Sequence, residues 1–200
     1  MALQNVKIKA FTLVELIIVI AVIGIMTSVG MVSFQTSRNT HKVEAAANEV
    51  AATIKLAQSY ALQGKAADDG SGNMVTPCGY GFRFDPGDSN LQQYEIFYNV
   101  PDAGSSCADM DGAYFRQFNT SYSQPIESPL TLTNGVTLQS PAISDDSNPT
   151  EIYFTVPRAD MFGYDGNALA SDPITLGVTG DSATRIVTIN YGGAVTQVQN

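Results

Sequence analysis

The sequence has few of the residue types from which enzyme active sites and metal centres are built. It contains one histidine, His41, and two cysteines, Cys78 and Cys107, in 200 residues. No G-x-S-x-G motif, P-loop or C-x-x-C pair occurs, so these signatures of hydrolase, nucleotide and thiol redox sites are absent. We expect no catalytic residue, no cofactor and no metal. We interpret His41 as a solvated helix residue rather than a general base.

Positive charge is also scarce. The chain has 10 Lys and Arg against 19 Asp and Glu, and its formal net charge is -9. Lys7 and Lys9 stand near the N-terminus, whereas every acidic residue except Glu15 follows Ser37. The long remainder of the chain is therefore anionic, with scattered basic residues that give no long-range attraction to phosphates. We expect no nucleic-acid binding by this region.

Charge and proline are almost absent from residues 11–32, an apolar run in which Glu15 is the one charged residue. At ~1.5 Å per residue, a helix of about 22 residues is about 33 Å long, enough to cross a hydrocarbon core of ~30 Å. Lys7 and Lys9 precede the run, so the positive-inside rule places the N-terminus in the cytoplasm. The sequence predicts a single-pass protein of the cytoplasmic membrane, anchored in the lipid bilayer, with its larger part outside.

Two ordinary interpretations of this segment fit it poorly. A secretory signal would be cut after a short apolar region, and residues 27–30, Thr-Ser-Val-Gly, match such a site only loosely. A plain membrane anchor leaves Glu15 unexplained, because a carboxylate in a spanning helix costs roughly 2.5–3.5 kcal/mol on insertion scales, and less near the interface. Glu15 therefore needs a partner.

A third interpretation rests on residues 7–17, which read K-I-K-A-F-T-L-V-E-L-I. This string closely resembles the N-terminal signal of type IV pilins and type II secretion pseudopilins. The resemblance implies that a prepilin peptidase cuts between Ala10 and Phe11 and methylates the new Phe11 amine. It also implies that Glu15 meets the Phe11 amine of a neighbouring subunit as the helices assemble on an inner-membrane platform.

The physical logic of that cleavage does not depend on the resemblance. A cut before Phe11 creates a cationic amine four residues ahead of Glu15, on the same face of a helix. The carboxylate then gains a countercharge.

Two positions depart from the family pattern: Ala10 stands where glycine is usual, and Val32 stands where many major pilins carry proline. These departures favour a minor subunit.

Beyond the membrane segment, an apolar stripe predicts that the helix continues to about Gln63. The stripe repeats at intervals of four and three residues, which is one face of a helix packed on the protein's own core. Gly64 is a candidate helix C-cap. The stripe consists of Val43, Ala47, Val50, Ile54, Ala57 and Ala61.

The remainder alternates apolar and polar residues with a period of two, as strands do. We predict strands at 80–84, 94–98, 151–156, 174–178, 184–191 and 194–198, the last two joined by a Gly192-Gly193 turn. A further strand pair at 130–138 is broken by Asn134-Gly135, which is a strong hairpin signal. Exposed loops are expected at 66–76, 101–112 and 140–149.

The predicted fold is α+β: a long N-terminal helix whose membrane half is followed by an amphipathic half, packed on an antiparallel β-sheet head. The predicted organisation has four parts. They are a cleaved cytoplasmic leader at 1–10, a transmembrane helix at 11–34, its amphipathic continuation at 35–64 and an extracytoplasmic β-rich head at 65–200. The head loosely resembles the GspH/FimT-type minor pilin branch through its Ala-rich helix and its closing strands at 185–190.

Cys78 and Cys107 both lie beyond the membrane segment, so we predict a disulfide between them if that side is oxidising; two buried free thiols are the alternative.

Asp109, Asp111 and Gly112 hint at a calcium loop, but the third acidic position and the terminal glutamate of an EF-hand are missing. An acidic turn is the ordinary interpretation.

The sequence therefore predicts a structural filament subunit rather than an enzyme: a pilin or pseudopilin of a type IV pilus or a type II secretion-like filament. Its partners would be other pilin or pseudopilin subunits, the prepilin peptidase and the assembly platform. An alternative from another class is a membrane-anchored β-domain that binds a ligand or a surface without polymerising. In that case Glu15 would be replaceable without consequence.

Overall fold

A computed structural model describes residues 11–84, 91–101, 106–107, 118, 122–139, 150–163, 173–181, 183–190 and 195–199. The chain divides into two compact units, residues 1–38 and residues 39–200. One helix, α1 (Leu13–Gln63), runs from the first unit into the second. The long helix predicted from the sequence is confirmed.

The head part of α1 buries the stripe that the sequence predicted. All six of its residues are buried, with exposed fractions of 1% or less. Two further alanines of the same helix, Ala46 and Ala51, extend the buried face. Because this face is mostly alanine, the helix axis can approach the sheet closely, and larger side chains on the sheet fill the space between them.

Helix α1 ends at Gln63 and is capped by Gly64, as predicted. Gly64 has a φ of +58°, a left-handed conformation that glycine adopts without steric cost. The Gly64 N–H donates to the Ala61 carbonyl and the Lys65 N–H donates to the Tyr60 carbonyl, both at 3.2 Å. This pair of bonds is the Schellman motif, which satisfies carbonyls that the last helical turn leaves unpaired.

Twelve strands follow in the described part of the chain. They are β1 (Ala67–Asp68), β2 (Met74–Val75), β3 (Gly79–Phe84), β4 (Gln93–Asn99), β5 (Ser123–Pro125), β6 (Leu130–Thr131), β7 (Val136–Gln139), β8 (Thr150–Thr155), β9 (Met161–Gly163), β10 (Ile174–Gly180), β11 (Ala183–Ile189) and β12 (Val195–Gln199). The strand predictions at 80–84, 94–98, 151–156, 174–178, 184–191 and 194–198 are confirmed with shifts of one or two residues at their ends. The Gly192-Gly193 turn lies outside the described residues.

The described strands form two main sheets and a small hairpin, β1–β2. One sheet has the order β5-β4-β3-β8-β9, with β6 also pairing β4, and the other has the order β12-β11-β10-β7. Every described strand pair is antiparallel. The α+β class with antiparallel strands is thus confirmed, and the described strands of the head are divided between two main sheets.

The central strand β3 divides its residues between two apolar layers. Tyr80, Phe82 and Phe84 belong to the main core, together with the buried face of α1. Gly79, Gly81 and Arg83 alternate with them and therefore project to the opposite face. That face carries a second, smaller core of Phe97, Tyr153 and Phe162, with Phe118 packed against it.

The Asn134-Gly135 turn was predicted to join two paired strands, and that pairing is wrong. The turn exists: Gly135 has a φ of +86°, and the Val136 N–H donates to the Thr133 carbonyl at 3.1 Å. The strands on either side do not pair with each other, because β6 pairs β4 in one sheet and β7 pairs β10 in the other. The turn passes the chain from one sheet to the next.

The predicted loop at 66–76 contains a regular element. Strands β1 and β2 pair within it, with Ala67 opposite Val75 and Asp68 opposite Met74. Both strands have only two residues, so no period-two pattern could reveal them. Most of the other two predicted loops, at 101–112 and 140–149, lies outside the described residues.

Gly81 is expected to resist substitution by alanine. The three heavy atoms nearest to a β-carbon at this position would all belong to the Phe97 ring, and each would lie closer than real contacts allow. We expect Gly81→Ala to lower the free energy of unfolding by about 1–3 kcal/mol, as over-packing does. Chemical denaturation of the wild-type and variant chains measures the loss.

A double-mutant cycle with Phe97→Ala identifies the cause of that loss. Removing the ring frees the space, so the additional cost of Gly81→Ala should largely disappear in the Phe97→Ala background. An unchanged cost in both backgrounds would show that the ring is not responsible.

Candidate processing and assembly site

The first turn of α1 is built by Thr12. Phe11 and Thr12 precede the helix, which begins at Leu13. The Glu15 N–H donates to the Thr12 hydroxyl at 3.3 Å, and the Leu16 N–H donates to the Thr12 carbonyl at 3.2 Å. Thr12 is therefore the N-cap, and its hydroxyl satisfies one of the amide groups that the first turn leaves unpaired.

Glu15 is the third residue of the helix, in the first turn. A carboxylate in this turn interacts favourably with the positive end of the helix dipole. Phe11 stands two residues ahead of the helix and four residues ahead of Glu15, and its side chain is exposed. Of the predicted site residues, Phe11 and Glu15 therefore lie at one end of the helix, while Ala10 lies outside the described residues.

The first part of α1 presents an apolar surface. Its described large apolar side chains between residues 11 and 34 have exposed fractions from 46% at Val22 to 78% at Phe11. Two polar side chains inside it satisfy themselves locally, since Thr27 and Ser28 donate to the carbonyls of Ile23 and Ile25 at 2.7 and 2.8 Å. By length and composition, this helix could cross a membrane.

In the head, Cys78 and Cys107 are joined by a disulfide, with Cα atoms 5.2 Å apart. Cys78 directly precedes the central strand β3, and its N–H donates to the Asn99 carbonyl at 2.8 Å. Cys107 belongs to the connection between β4 and β5. The disulfide therefore ties this connection to the middle of the six-stranded sheet.

A partly buried charge cluster on the same sheet was not predicted from the sequence. Arg83 lies between two carboxylates, with Nη1 at 3.1 Å from Glu95 Oε1 and Nε at 3.4 Å from Glu151 Oε1. Glu151 is only 3% exposed. Glu95 and Glu151 stand directly opposite Arg83 on the two neighbouring strands, so strand register places all three together.

Phe118 connects this cluster to the second core. Its backbone N–H donates to Glu151 Oε2 at 3.0 Å, and the Arg83 guanidinium lies 4.3 Å from the centre of its ring. The Phe118 ring also meets Phe97 edge to face, with 5.4 Å between ring centres. Phe118 belongs to the β4–β5 connection, which is thus held to the sheet at a second point besides Cys107.

Tyrosine hydroxyls join the helix and the β1–β2 hairpin to the sheet. Tyr94 donates to Glu49 Oε1 on α1 at 2.8 Å, and Tyr98 donates to the Asp68 carbonyl at 2.9 Å. Tyr80 donates to the Lys65 carbonyl, just past the end of α1. Burial, with the nearby Tyr98 and Tyr60 as further causes, raises the pKa of Tyr80 to about 12, so its hydroxyl remains a neutral donor.

The hairpin loop between β1 and β2 is organised by two aspartates. Asp68 Oδ1 accepts the N–H groups of Gly70 and Gly72, and Asp69 Oδ1 accepts those of Ser71 and Asn73. The Asn73 side-chain amide also donates to Asp69 Oδ2 at 3.0 Å. This last bond, followed by the backbone bonds, lowers the pKa of Asp69 below its ordinary value.

His41, the residue considered as a general base, lies on the exposed surface of α1. His41 is exposed and its Nδ1 lies 3.7 Å from Glu44 Oε2, in agreement with the solvated helix residue that was predicted. Among the described residues, no group of three or more His, Cys, Asp or Glu side chains could hold a metal ion. The candidate calcium residues Asp109, Asp111 and Gly112 lie outside the described residues.

Substitution of Asn73 should change the pKa of the Asp69 carboxyl. Because the folded pKa is lowered, the stabilisation from these bonds is complete above the ordinary carboxyl pKa and is lost as the pH falls through the lowered value. Asn73→Ala removes the largest cause and should move the Asp69 pKa upward. NMR titration of the Asp69 carboxyl measures the shift.

Ser71→Ala is the matched control, since the Ser71 backbone N–H, not its side chain, bonds Asp69. That variant should leave the Asp69 titration in place. An unchanged midpoint in Asn73→Ala would contradict the assignment of the cause.

Comparison with known proteins identifies a family motif at the N-terminus. Residues 6–31 match the family described as the prokaryotic N-terminal methylation motif. No curated protein and no solved structure matches the chain. The match covers Phe11, Thr12 and Glu15 and most of the exposed apolar surface of α1, whereas nothing in it extends to the head or to the GspH/FimT-type branch. The chain therefore carries the N-terminal motif of the type IV pilin and pseudopilin family, ahead of an α+β head.

Proposed function

We propose that this protein is a structural subunit, a minor pilin or a pseudopilin, of a type IV pilus or a type II secretion-like filament. The observation that carries the proposal is the coincidence of the methylation motif at residues 6–31 with the exposed apolar start of α1. A prepilin peptidase cuts between Ala10 and Phe11 and methylates the Phe11 amine, and the retained helix then assembles with the helices of other subunits.

Glu15 acts in assembly under this proposal. Its carboxylate costs free energy inside the membrane unless a cation is near. The Phe11 amine of a neighbouring subunit supplies that cation as the helices pack, so that a charge match fixes the axial register of the new subunit. A helix of apolar residues alone could slide along its neighbours with little preference, because lipid-like surfaces carry no directional groups.

The proposed topology follows from the charge distribution. Lys7 and Lys9 keep the leader in the cytoplasm, where the peptidase and the assembly platform act, and the head lies outside the cytoplasmic membrane. The disulfide between Cys78 and Cys107 fits an oxidising compartment on that side. Ala10 and Val32, which depart from the usual glycine and proline, favour a minor subunit that is needed in few copies.

The head serves contact rather than catalysis in this proposal. Several of its described polar side chains are engaged in structural bonds: Glu151 and Glu95 with Arg83, Glu49 with Tyr94, and Asp69 with its own loop. Proteins that carry this motif are structural subunits, so no reaction needs to be assigned.

The mature N-terminus tests the proposal directly. Mass spectrometry of the membrane-extracted protein should show a chain that begins at an N-methylated Phe11. A chain that keeps Met1, or one that begins near Gly30, would overturn the proposal in favour of an anchored or a secreted β-domain. The three outcomes differ by whole segments of sequence and cannot be confused.

Replacement of Glu15 tests the assembly step. Glu15→Leu removes the insertion cost of a charged residue, roughly 2.5–3.5 kcal/mol at a helix centre and less near the interface, so membrane insertion should be retained. Incorporation into sheared filaments should be lost, because the Phe11 amine has no partner. Glu15→Gln, which keeps the size but not the charge, should fail in the same way. Normal incorporation of either variant would contradict the charge-matching step.

A further inference from the structure

Arg38 is the first charged residue after the apolar start of α1. Between Glu15 and Arg38 the sequence contains no Asp, Glu, Lys or Arg. At ~1.5 Å per residue, the helix rises about 35 Å between these two residues. The hydrocarbon core of a bilayer is ~30 Å thick. With Glu15 at the inner boundary of that core, Arg38 therefore reaches the headgroup layer of the outer leaflet.

The Arg38 side chain leans toward the apolar segment. Its guanidinium carbon lies 5.8 Å from the centre of the Phe34 ring, one helical turn nearer to the N-terminus. Both side chains are exposed, Phe34 with a fraction of 63%. Long basic side chains keep their stems on apolar surface while the charged end reaches the membrane interface, where aromatic rings are also found. Phe34 and Arg38 thus have the composition and the order of a pair at a membrane boundary.

The sequence of α1 supplies no carboxylate for the charge of Arg38. Ion pairs along a helix join residues three or four positions apart, and no Asp or Glu stands between Glu15 and Glu44. Two arginines of the head differ in this respect, because Arg83 and Arg158 each lie within ion-pair distance of a carboxylate. At a membrane boundary, the abundant anion is the phosphate group of a phospholipid.

We propose that Arg38 binds the phosphate group of a phospholipid in the outer leaflet of the cytoplasmic membrane, with the Phe34 ring beneath it at the boundary of the acyl chains. A guanidinium matches a phosphate in charge and in geometry, because its parallel N–H groups can donate to two phosphate oxygens at once. This inference rests on the membrane placement of α1 within the proposed function. It does not depend on cleavage before Phe11.

Solid-state NMR of the full-length chain tests this contact directly. All arginines carry an isotope-labelled guanidinium carbon, and the chain is reconstituted into vesicles of phosphatidylglycerol and phosphatidylcholine in phosphate-free buffer. Carbon–phosphorus dipolar dephasing then detects guanidinium carbons that are in direct contact with lipid phosphate. Arg38→Gln removes the proposed donor. Arg158→Gln is the matched control, because it removes an exposed arginine of the head.

We expect a dephased arginine signal in the wild-type chain, its loss in Arg38→Gln and its retention in Arg158→Gln. The lost intensity should correspond to a single arginine. A wild-type chain without a dephased signal would overturn the proposal. A signal that Arg38→Gln leaves unchanged would overturn it as well, since another arginine would then hold the phosphate.

Two further measurements separate lipid phosphate from free phosphate, and this inference from the function on which it rests. In micelles of a phosphorus-free maltoside detergent with inorganic phosphate, the Arg38-dependent signal should be absent; its appearance there would overturn the lipid assignment in favour of a free anion. Alkaline carbonate extraction of the vesicles checks the membrane placement. A chain that is washed off contradicts the proposed function and this inference together, whereas an inserted chain without the Arg38-dependent signal contradicts this inference alone.

Discussion

The head depends on the packing of an alanine-rich helix face against a sheet of aromatic side chains. Alanines such as Ala47, Ala57 and Ala61 bring the α1 backbone close to the sheet, and Phe82 and Tyr94 fill the space from the other side. Small residues on one element and large ones on the other give a dense interface with few rotamers to fix. The hydroxyl of Tyr94 reaches the edge of this layer and bonds Glu49, so the aromatic layer leaves no buried donor unpaired there.

The opposite face of the six-stranded sheet combines a small aromatic core with a charge cluster. Burial of a charged group costs free energy, and here that cost falls mainly on Glu151, because Arg83 and Glu95 keep part of their exposure. Attraction between the charges offsets the cost only when the geometry is good and the remaining oxygens are bonded. Glu151 meets this condition by accepting the Phe118 N–H as well as facing Arg83. A partly buried ion cluster of this kind favours one arrangement of the chain rather than adding much net stability.

The two attachments of the β4–β5 connection are complementary in chemistry. Cys107 binds it covalently near its start, and Phe118 binds it through a hydrogen bond, a cation–π contact and a ring contact nearer its end. Aromatic contacts alone would leave the segment free to slide over the apolar face of Phe97 and Tyr153, since such contacts are weakly directional. The disulfide and the Glu151 bond remove that freedom.

The sequence predicts the elements whose periodicity is long and fails where spatial partners decide. The stripe on α1 and the alternation in β3 and β4 each repeat over several residues, so both emerge from the pattern alone. Asn134-Gly135 specifies a local backbone conformation, yet it carries no information about which strands pair, and the hairpin prediction failed for that reason. The Arg83 cluster was missed because strand register, not sequence distance, places Glu151 opposite Arg83. Alternation in β3 does put Arg83 on the face away from the helix, which was the available signal.

In the proposed filament subunit, local and intermolecular requirements act on the same few N-terminal residues. Cleavage before Phe11 would place an ammonium group at the positive end of the α1 dipole, which is unfavourable. The Glu15 carboxylate, in the first turn, is attracted both to the positive end of the helix dipole and to the amine. It therefore offsets the repulsion between the two. Thr12 fixes the position of that turn and hence the distance along the chain between the two charges. The cap and the carboxylate are therefore one unit of local structure, because Thr12 fixes the start of the turn that carries Glu15.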